Sequence, residues 1–530
     1  MCVLTFPARA QINIDELTPA GAYDAGVVQP GLHTLGGNLW QNTTALQATK
    51  LINAADTNAA DTKVKGTARL LIQMALLSSG VPPRPVDSSE REIYNKARLS
   101  ALLKLRDLTA FDQIFSRADI RKNNPVFNKI VVERALLGGD INTACTLNDT
   151  LIIDRKAPYW AKVRAFCHFV RGEIPAAELT ADLLSRAGYD DKIFFALLGK
   201  LTGRRFDIKI SKITTPLRIA MLSEILKSNK LDKKSFPDIL LAKIALDMKT
   251  SPDDRLFALL GSAHILSLEQ IRTVLGGLAN APVKNRKAPI NHDSQAVWNA
   301  QKWGEVYQML DSNHDLNGVT NAAGALLTQA QQKGILLPIA RALETKISAI
   351  PAEYKAKNNV YIFARIAVHN RDTDTLGALF LALKEDNPLR GRIALASDAL
   401  GGGFLHGELG IDIETRLADK ATRARAVRDS YIAAALGANL SDMATQVLAR
   451  AKLEGQAANL GDSGDLLALH AAARRGAKAE LALLAAKIFT EIPPGKMRAD
   501  NFAAILSAMM SAGMTGTAGH LAALDMLGHD

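Results

Sequence analysis

Apolar residues recur along this chain at intervals of three and four. Leu70, Leu71, Met74 and Leu77 fall on one face of a helix that the spacing predicts over Thr62–Ser79. Gly80-Val81-Pro82-Pro83-Arg84-Pro85 stops it. Asp87 and Glu90 form a capping box for the next helix, which carries Tyr94, Leu99, Leu102 and Leu103. Residues 11–60 read as an irregular lead-in, broken by Pro19, Gly21, Gly26, Pro30, Gly31, Gly36 and Gly37, with one short helix after Asn42. Two later segments depart from the helical period. Arg205-Phe206-Asp207-Ile208-Lys209-Ile210 alternates like a strand but has no partner strand, so it reads as an extended connector. Ala281–Pro289 is basic, polar and marked by prolines. It places a linker at 281–297 between a helical-repeat half at 61–280 and a second at 298–530.

Within the first half the pattern repeats. Asn124-Pro125-Val126-Phe127-Asn128-Lys129 leads to Gly139-Asp140 and Ala144. Ala157-Pro158-Tyr159-Trp160-Ala161-Lys162 leads to Gly172-Glu173 and Ala177. The matched pairs Pro125/Pro158, Phe127/Trp160, Lys129/Lys162, Gly139/Gly172 and Ala144/Ala177 are all offset by 33 residues. The physics is that of a helix-turn-helix unit. The aromatic fills the groove between helices, glycine takes the turn, and alanine lets the second helix pack closely. A further unit starts near Ile193-Phe194 and reaches Gly203. The two clear units, residues 120–188, resemble the tetratricopeptide-type repeat, whose period is about 34 residues. The Leu-Gly positions of that repeat's first helix are Val163-Arg164 here. In the second half Gly437, Gly476 and Gly513 separate Ala/Leu-rich helices at spacings of 39 and 37 residues. Leu467–Phe489 and Phe502–Leu527 read as helical hairpins. The expected fold is all-α. The resemblance implies a right-handed α-solenoid of stacked helix-turn-helix pairs, tetratricopeptide-like.

Composition supports helix. Aromatic residues are 5% of the chain and hydrophobic residues 48%, an alanine-rich balance that disfavours sheets. A charged fraction of 22% excludes wholesale disorder. No run of 18 apolar residues is present, so no transmembrane segment is expected. The formal net charge is +11. It concentrates between Lys192 and Lys249, with 13 Lys/Arg against 5 Asp/Glu. Lys192, Lys200, Arg204, Arg205, Lys209 and Lys212 mark a basic binding patch for an acidic partner. The bland reading is a solvated helix surface. No aromatic-rich basic motif accompanies it, which argues against nucleic acid as the partner.

Residues 1–10 end in Ala8-Arg9-Ala10, the small-x-small form of a signal-peptidase site, after a short apolar piece from Val3 to Phe6. Two readings stand: a truncated secretory signal, or an ordinary N-terminus. Of the three cysteines, cleavage after Ala10 removes Cys2 and leaves Cys145 and Cys167 in neighbouring helices. A disulfide between them is plausible and would persist in an oxidising periplasm; two buried thiols are the alternative. The expected location is periplasmic, with the cytoplasm as the alternative.

The chemical motifs are better explained by structure. Asn313, Asp315, Asn317 and Gly318 resemble the start of a calcium loop, but Gly324 stands where the bidentate Glu belongs, so a polar turn is expected. Gly461-Asp462-Ser463-Gly464 echoes a serine-protease signature inside Ala-rich helices, where Asp462 or Ser463 serves as a helix cap. Gly401-Gly402-Gly403-Phe404 lacks the Gly-Lys-Ser/Thr ending of a phosphate loop and reads as a helix stop. His168 follows Cys167, but adjacent helix residues do not face each other, and Trp160, Val163, Cys167 and Val170 read as a core stripe. Superhelical α-domains also occur in periplasmic lytic transglycosylases, whose separate catalytic domain carries a Glu-Ser pair; no Glu-Ser dipeptide occurs here. No catalytic residue, cofactor or metal site is expected. The leading expectation is a non-enzymatic envelope scaffold or adaptor that holds a protein or acidic polymer on a concave face. The alternative is a cell-wall-acting hydrolase or lytic enzyme whose site is assembled between repeats, for example around His406 and Glu408.

Overall fold

The computed structural model describes residues 26–27, 34–61, 66–84, 87–117, 125–204, 213–227, 236–279, 298–311, 315–402, 413, 415–451 and 463–528. Among these residues no β-strand forms; one isolated bridge joins Thr44 and Arg84. The first helices are α1 (Ala45–Asp61), α2 (Gly66–Leu77), α3 (Ser88–Lys104), α4 (Leu108–Arg117), α5 (Pro125–Gly138), α6 (Ile141–Asp149), α7 (Pro158–Val170), α8 (Ile174–Arg186) and α9 (Lys192–Leu201). Then come α10 (Pro216–Leu226), α11 (Asp238–Leu246), α12 (Pro252–Ser262), α13 (Leu268–Ala279), α14 (Ala300–Met309), α15 (Leu316–Gln332), α16 (Leu336–Ala342), α17 (Glu344–Ser348) and α18 (Ala352–Lys357). The last are α19 (Val360–Asn370), α20 (Thr373–Ala382), α21 (Arg390–Ala399), α22 (Arg423–Ala435), α23 (Asp442–Arg450), α24 (Ser463–Arg475), α25 (Lys478–Glu491), α26 (Ala499–Ser511) and α27 (Thr515–Met526). No described helix is long and apolar enough to cross a membrane.

Local chemistry sets the boundaries. Asp87 accepts a hydrogen bond from the Glu90 N–H at 2.9 Å and starts α3, as its capping box requires. Asp140 and Asp191 cap α6 and α9 in the same way, each at 3.0 Å. Proline opens α5, α7, α10 and α12, where its missing N–H costs nothing. Asp315 accepts from the Gly318 N–H at 3.0 Å, so Asp315–Gly318 of the calcium-like segment is a capping turn, and Asn313 lies outside the described residues. Gly401, with φ +89°, ends α21, and the Gly402 N–H returns to the Ser397 carbonyl at 2.9 Å. Gly437, Gly476 and Gly513 separate helices at positive φ. The helix placed after Asn42 is α1, which is 17 residues long rather than short.

Most helices adjacent in sequence from α3 onward pack on each other, and the packed helices form a circuit. α1 packs on α3, α3 on α5, and α5 on α10. Arg106 joins the next step, donating to the Thr214 carbonyl before α10 and lying 3.6 Å from Asp238 at the start of α11. α11 packs on α12 and α13, α13 on α14 and α16, α16 on α19, and α19 on α20, α21 and α27. α27 packs on α26, α26 on α25, and α25 returns to both α1 and α2. The buried apolar residues form one connected core from Val27 to Leu527.

Polar bonds seal the return. The first turn of a helix leaves N–H groups without intrahelical partners. Here the Ala479 N–H donates to the Leu39 carbonyl at 2.8 Å and the Lys478 N–H to that of Asn38 at 3.4 Å. Thr43 Oγ1 donates to Glu480 Oε2 at 2.9 Å, and Arg475 donates to the other Glu480 oxygen at 2.7 Å. The Trp40 ring is fully buried beside this join and meets Tyr94 edge-on.

Candidate functional site: a cation-rich face on the repeat helices

The 33-residue offset extends one unit further upstream than the sequence reading carried it. Tyr94, Phe127 and Trp160 are buried at equivalent places in α3, α5 and α7. The turns that follow these helices all have a left-handed residue at the same offset: Arg106 (φ 60°), Gly139 (84°) and Gly172 (81°). Asp107 caps α4 as Asp140 caps α6, accepting from Ala110 N–H at 3.1 Å. This unit was hidden because an arginine takes the glycine's turn, and Phe111 stands where the later units have Ala144 and Ala177. The signal that reveals it is the same offset in the aromatics and lysines. Phe127, Trp160, Ala144 and Ala177 all lie in the core.

The junctions between units also follow the offset. Asp112 of α4 and Arg134 of α5 form a two-pronged ion pair at 2.8 and 2.5 Å. One unit later the equivalent residues are Cys145 of α6 and Cys167 of α7. They stand at disulfide distance, with sulfurs 2.01 Å and Cα atoms 5.6 Å apart. Trp160, Val163 and Cys167 are buried as the stripe predicts, but Val170 is exposed because it lies in the last turn, beside Arg171 and Gly172. His168 pairs with Glu173 at 2.5 Å and makes no contact that would activate a thiol.

The offset carries a third residue type. Lys96, Lys129 and Lys162 occupy one position in α3, α5 and α7. Lys129 Nζ lies 4.9 Å from the Tyr159 ring centre of the next unit, and Lys162 Nζ lies 5.8 Å from the ring of Phe194. Lys162 is committed to Asp191 at 2.5 Å, which Arg218 also binds at 2.8 Å. Lys96, Lys104 and Lys129 are exposed. The Lys129 ammonium lies 3.8 Å from Glu133. Burial pushes the Glu133 carboxyl up, and Lys129, Lys104, Lys96 and Arg106 act against that rise in this order. Tyr159 lies alongside. Its hydroxyl is buried and has no hydrogen-bond partner among the described residues. Burial, then the Glu133 charge, hold it well above the usual phenol range.

Of the basic patch expected from sequence, Lys192, Lys200 and Arg204 lie among the described residues. Lys192 is exposed and stands 3.8 Å from Asp190, Lys200 is half-buried near the end of α9, and Arg204 is paired with Glu178 at 2.8 Å. Arg205, Lys209, Lys212, Cys2, His406, Glu408 and the 281–297 linker lie outside the described residues. The most buried charges belong to a clamp near the end of the chain. Asp429 and Asp525 are fully buried; Arg416 and Arg425 hold the first, and Arg425 and Arg428 the second. Arg428 also reaches the Met497 and Pro494 carbonyls, and Arg392 the Met526 carbonyl, so these arginines tie down the end of α27. Among the described residues no group of three His, Cys, Asp or Glu could hold a metal ion. Comparison with protein-family models, curated proteins and solved structures finds no match to this chain.

Proposed function

We propose that this chain is a non-enzymatic, right-handed, tetratricopeptide-like scaffold or adaptor of the bacterial cell envelope that takes an acidic partner, a protein or a polymer, on the α3–α5 face. The observation that carries this reading is the exposure of Lys96, Lys104 and Lys129 on α3 and α5, repeat helices that pack on each other. Exposed cations concentrate and orient an anionic partner, and salt weakens the attraction. The Cys145–Cys167 pair supports an oxidising compartment.

The test is capture by immobilised polyglutamate and polyphosphate across a salt series. Replacing Lys96, Lys104 and Lys129 together by Ala is expected to weaken capture about tenfold, at roughly 0.5 kcal/mol per surface charge. Replacing Lys192 and Lys200 is expected to change it less than twofold. Equal losses from both sets would reject the α3–α5 face.

One observation favours the enzyme reading instead: Glu133 is a partly desolvated carboxyl held high by burial, as a general acid requires. Clearing of peptidoglycan by the wild-type chain, abolished by Glu133→Gln, would establish it.

A further inference from the structure

α8 carries an apolar face that its own fold does not use. The helix packs on α7 and lies beside the circuit, which passes from α5 to α10. Ala177, Ala181 and Leu184 are its buried side. On the opposite side Leu179 and Leu183 are 60% and 59% exposed. They stand four residues apart, one above the other. The repeat shows that folding does not ask for leucine there. At the 33-residue offset, Gln113 and Thr146 precede Leu179, and Arg117 and Thr150 precede Leu183. All four are exposed as well. Two places that stay in water in three successive units, and turn apolar together only in the third, mark a contact surface.

The charges on this face select the partner. Asp182 and Arg186 lie on it one turn apart, both exposed, and neither side chain makes an ion pair among the described residues. Opposite charges spaced in this way complement a reversed copy of themselves. In two antiparallel helices related by a two-fold axis, residue i meets j and j meets i. With the axis level with position 184, Asp182 meets Arg186 of the second copy, and Arg186 meets its Asp182. Leu183 then lies beside Leu183 of the copy. Leu179, five residues before the axis, falls level with Tyr189 of the copy, five residues after it; Tyr189 is 44% exposed.

We propose that this chain pairs with a second copy of itself through α8, antiparallel about a two-fold axis, with Leu179 and Leu183 buried between the helices and Asp182 and Arg186 paired across them. The inference goes beyond the acidic-partner reading and uses none of its lysines. α8 has 13 residues and is about 20 Å long. A contact of that length falls short of the roughly 800 Å² per partner of a stable interface, so the dimer should form only at high concentration, from about 0.1 mM.

Sedimentation velocity of the full chain, from about 1 μM to 1 mM at low salt, is the test; monomer should give way to dimer across that range. Leu179→Thr with Leu183→Thr gives α8 the residues that α6 carries. Because both positions are exposed, Tm should stay unchanged while association weakens more than about tenfold. Asp182→Arg alone, or Arg186→Asp alone, sets like charges across the axis, and each variant should remain monomeric. An equal mixture of the two should dimerise again, since every arginine then meets an aspartate on the other chain. An ion pair within one helix cannot produce that rescue, because each variant carries two like charges. A wild-type chain that stays monomeric throughout overturns the proposal. So does a mixture that associates no better than its components, or a Leu179→Thr, Leu183→Thr chain that dimerises as tightly as the wild type.

Discussion

Glu133 and Asp238 are carboxylates of nearly equal exposure, 22% and 24%, and both face cations, yet they shift in opposite directions. Hydrogen bonding decides. Asp238 accepts from the Ile239 N–H at 2.8 Å and lies 3.1 Å from His264 Nε2, and with Arg106 these contacts outweigh its burial and hold its carboxyl low. Glu133 meets its nearest cation only at 3.8 Å, and burial wins. The signs follow. A raised carboxyl binds protons better in the folded state, so the Glu133 contribution to stability falls as pH rises through its window above the usual carboxylate range. Glu133→Gln is expected to raise Tm above that window and to leave it unchanged in acid. Asp238 does the reverse. Its contribution is full above the unfolded carboxylate range and is lost as pH falls through the depressed folded value, so Asp238→Asn should lower Tm at neutral pH and flatten the acid limb. Thermal melts from pH 3 to 8 check both. The turn positions offer a separate test. At Gly172 nothing lies within 4 Å of an added Cβ, so Gly172→Ala isolates the backbone cost of positive φ, about 1 kcal/mol measured by denaturant unfolding.

The junctions are the informative level among the elements. Asp112–Arg134 and Cys145–Cys167 are the same contact one repeat apart, once ionic and once at disulfide distance. A disulfide closing a loop of this size contributes about 3 kcal/mol, whereas an exposed ion pair contributes about 0.5 kcal/mol. The double substitution Cys145→Ala, Cys167→Ala should therefore cost several times more stability than Asp112→Ala, measured by urea unfolding without reductant. Both cysteines are buried, so thiol labelling after mild reduction of the folded protein should be slow. Much at this scale was legible in the sequence. The 33-residue offset located α5–α8, and the glycine spacing located the later hairpins, because turns and small-residue contacts impose local residue types. The α3–α4 unit escaped because Arg106 accepts a left-handed conformation that usually selects glycine. A local excess of lysine and arginine marks 192–249 in the sequence, whereas Lys96 and Lys129, at one position of successive units, are a repeat apart and leave no such excess.

For the whole molecule the controlling fact is the join between its first helices and α25. No periodicity announces it, because it matches Asn38, Leu39 and Thr43 with Lys478, Ala479 and Glu480 through shape and backbone bonds. An open stack of repeats frays from its ends. Here α1, α2 and α25 should instead exchange their amide hydrogens as one protected group, and Glu480→Ala, which strips partners from Thr43 and Arg475, should deprotect all three together. Deprotection of α1 alone would contradict the joined arrangement.

This join also bears on how such a gene can change. An open array tolerates duplication or loss of a unit, since each unit touches only its neighbours and the ends remain free. A circuit has no free end. One unit more, or one fewer, would carry α1 and α2 out of register with α25 and strand the N–H groups that Leu39 and Asn38 now satisfy. Unit number is thus part of the specification of this fold, and variation should enter as insertions in the turns rather than as gained or lost repeats.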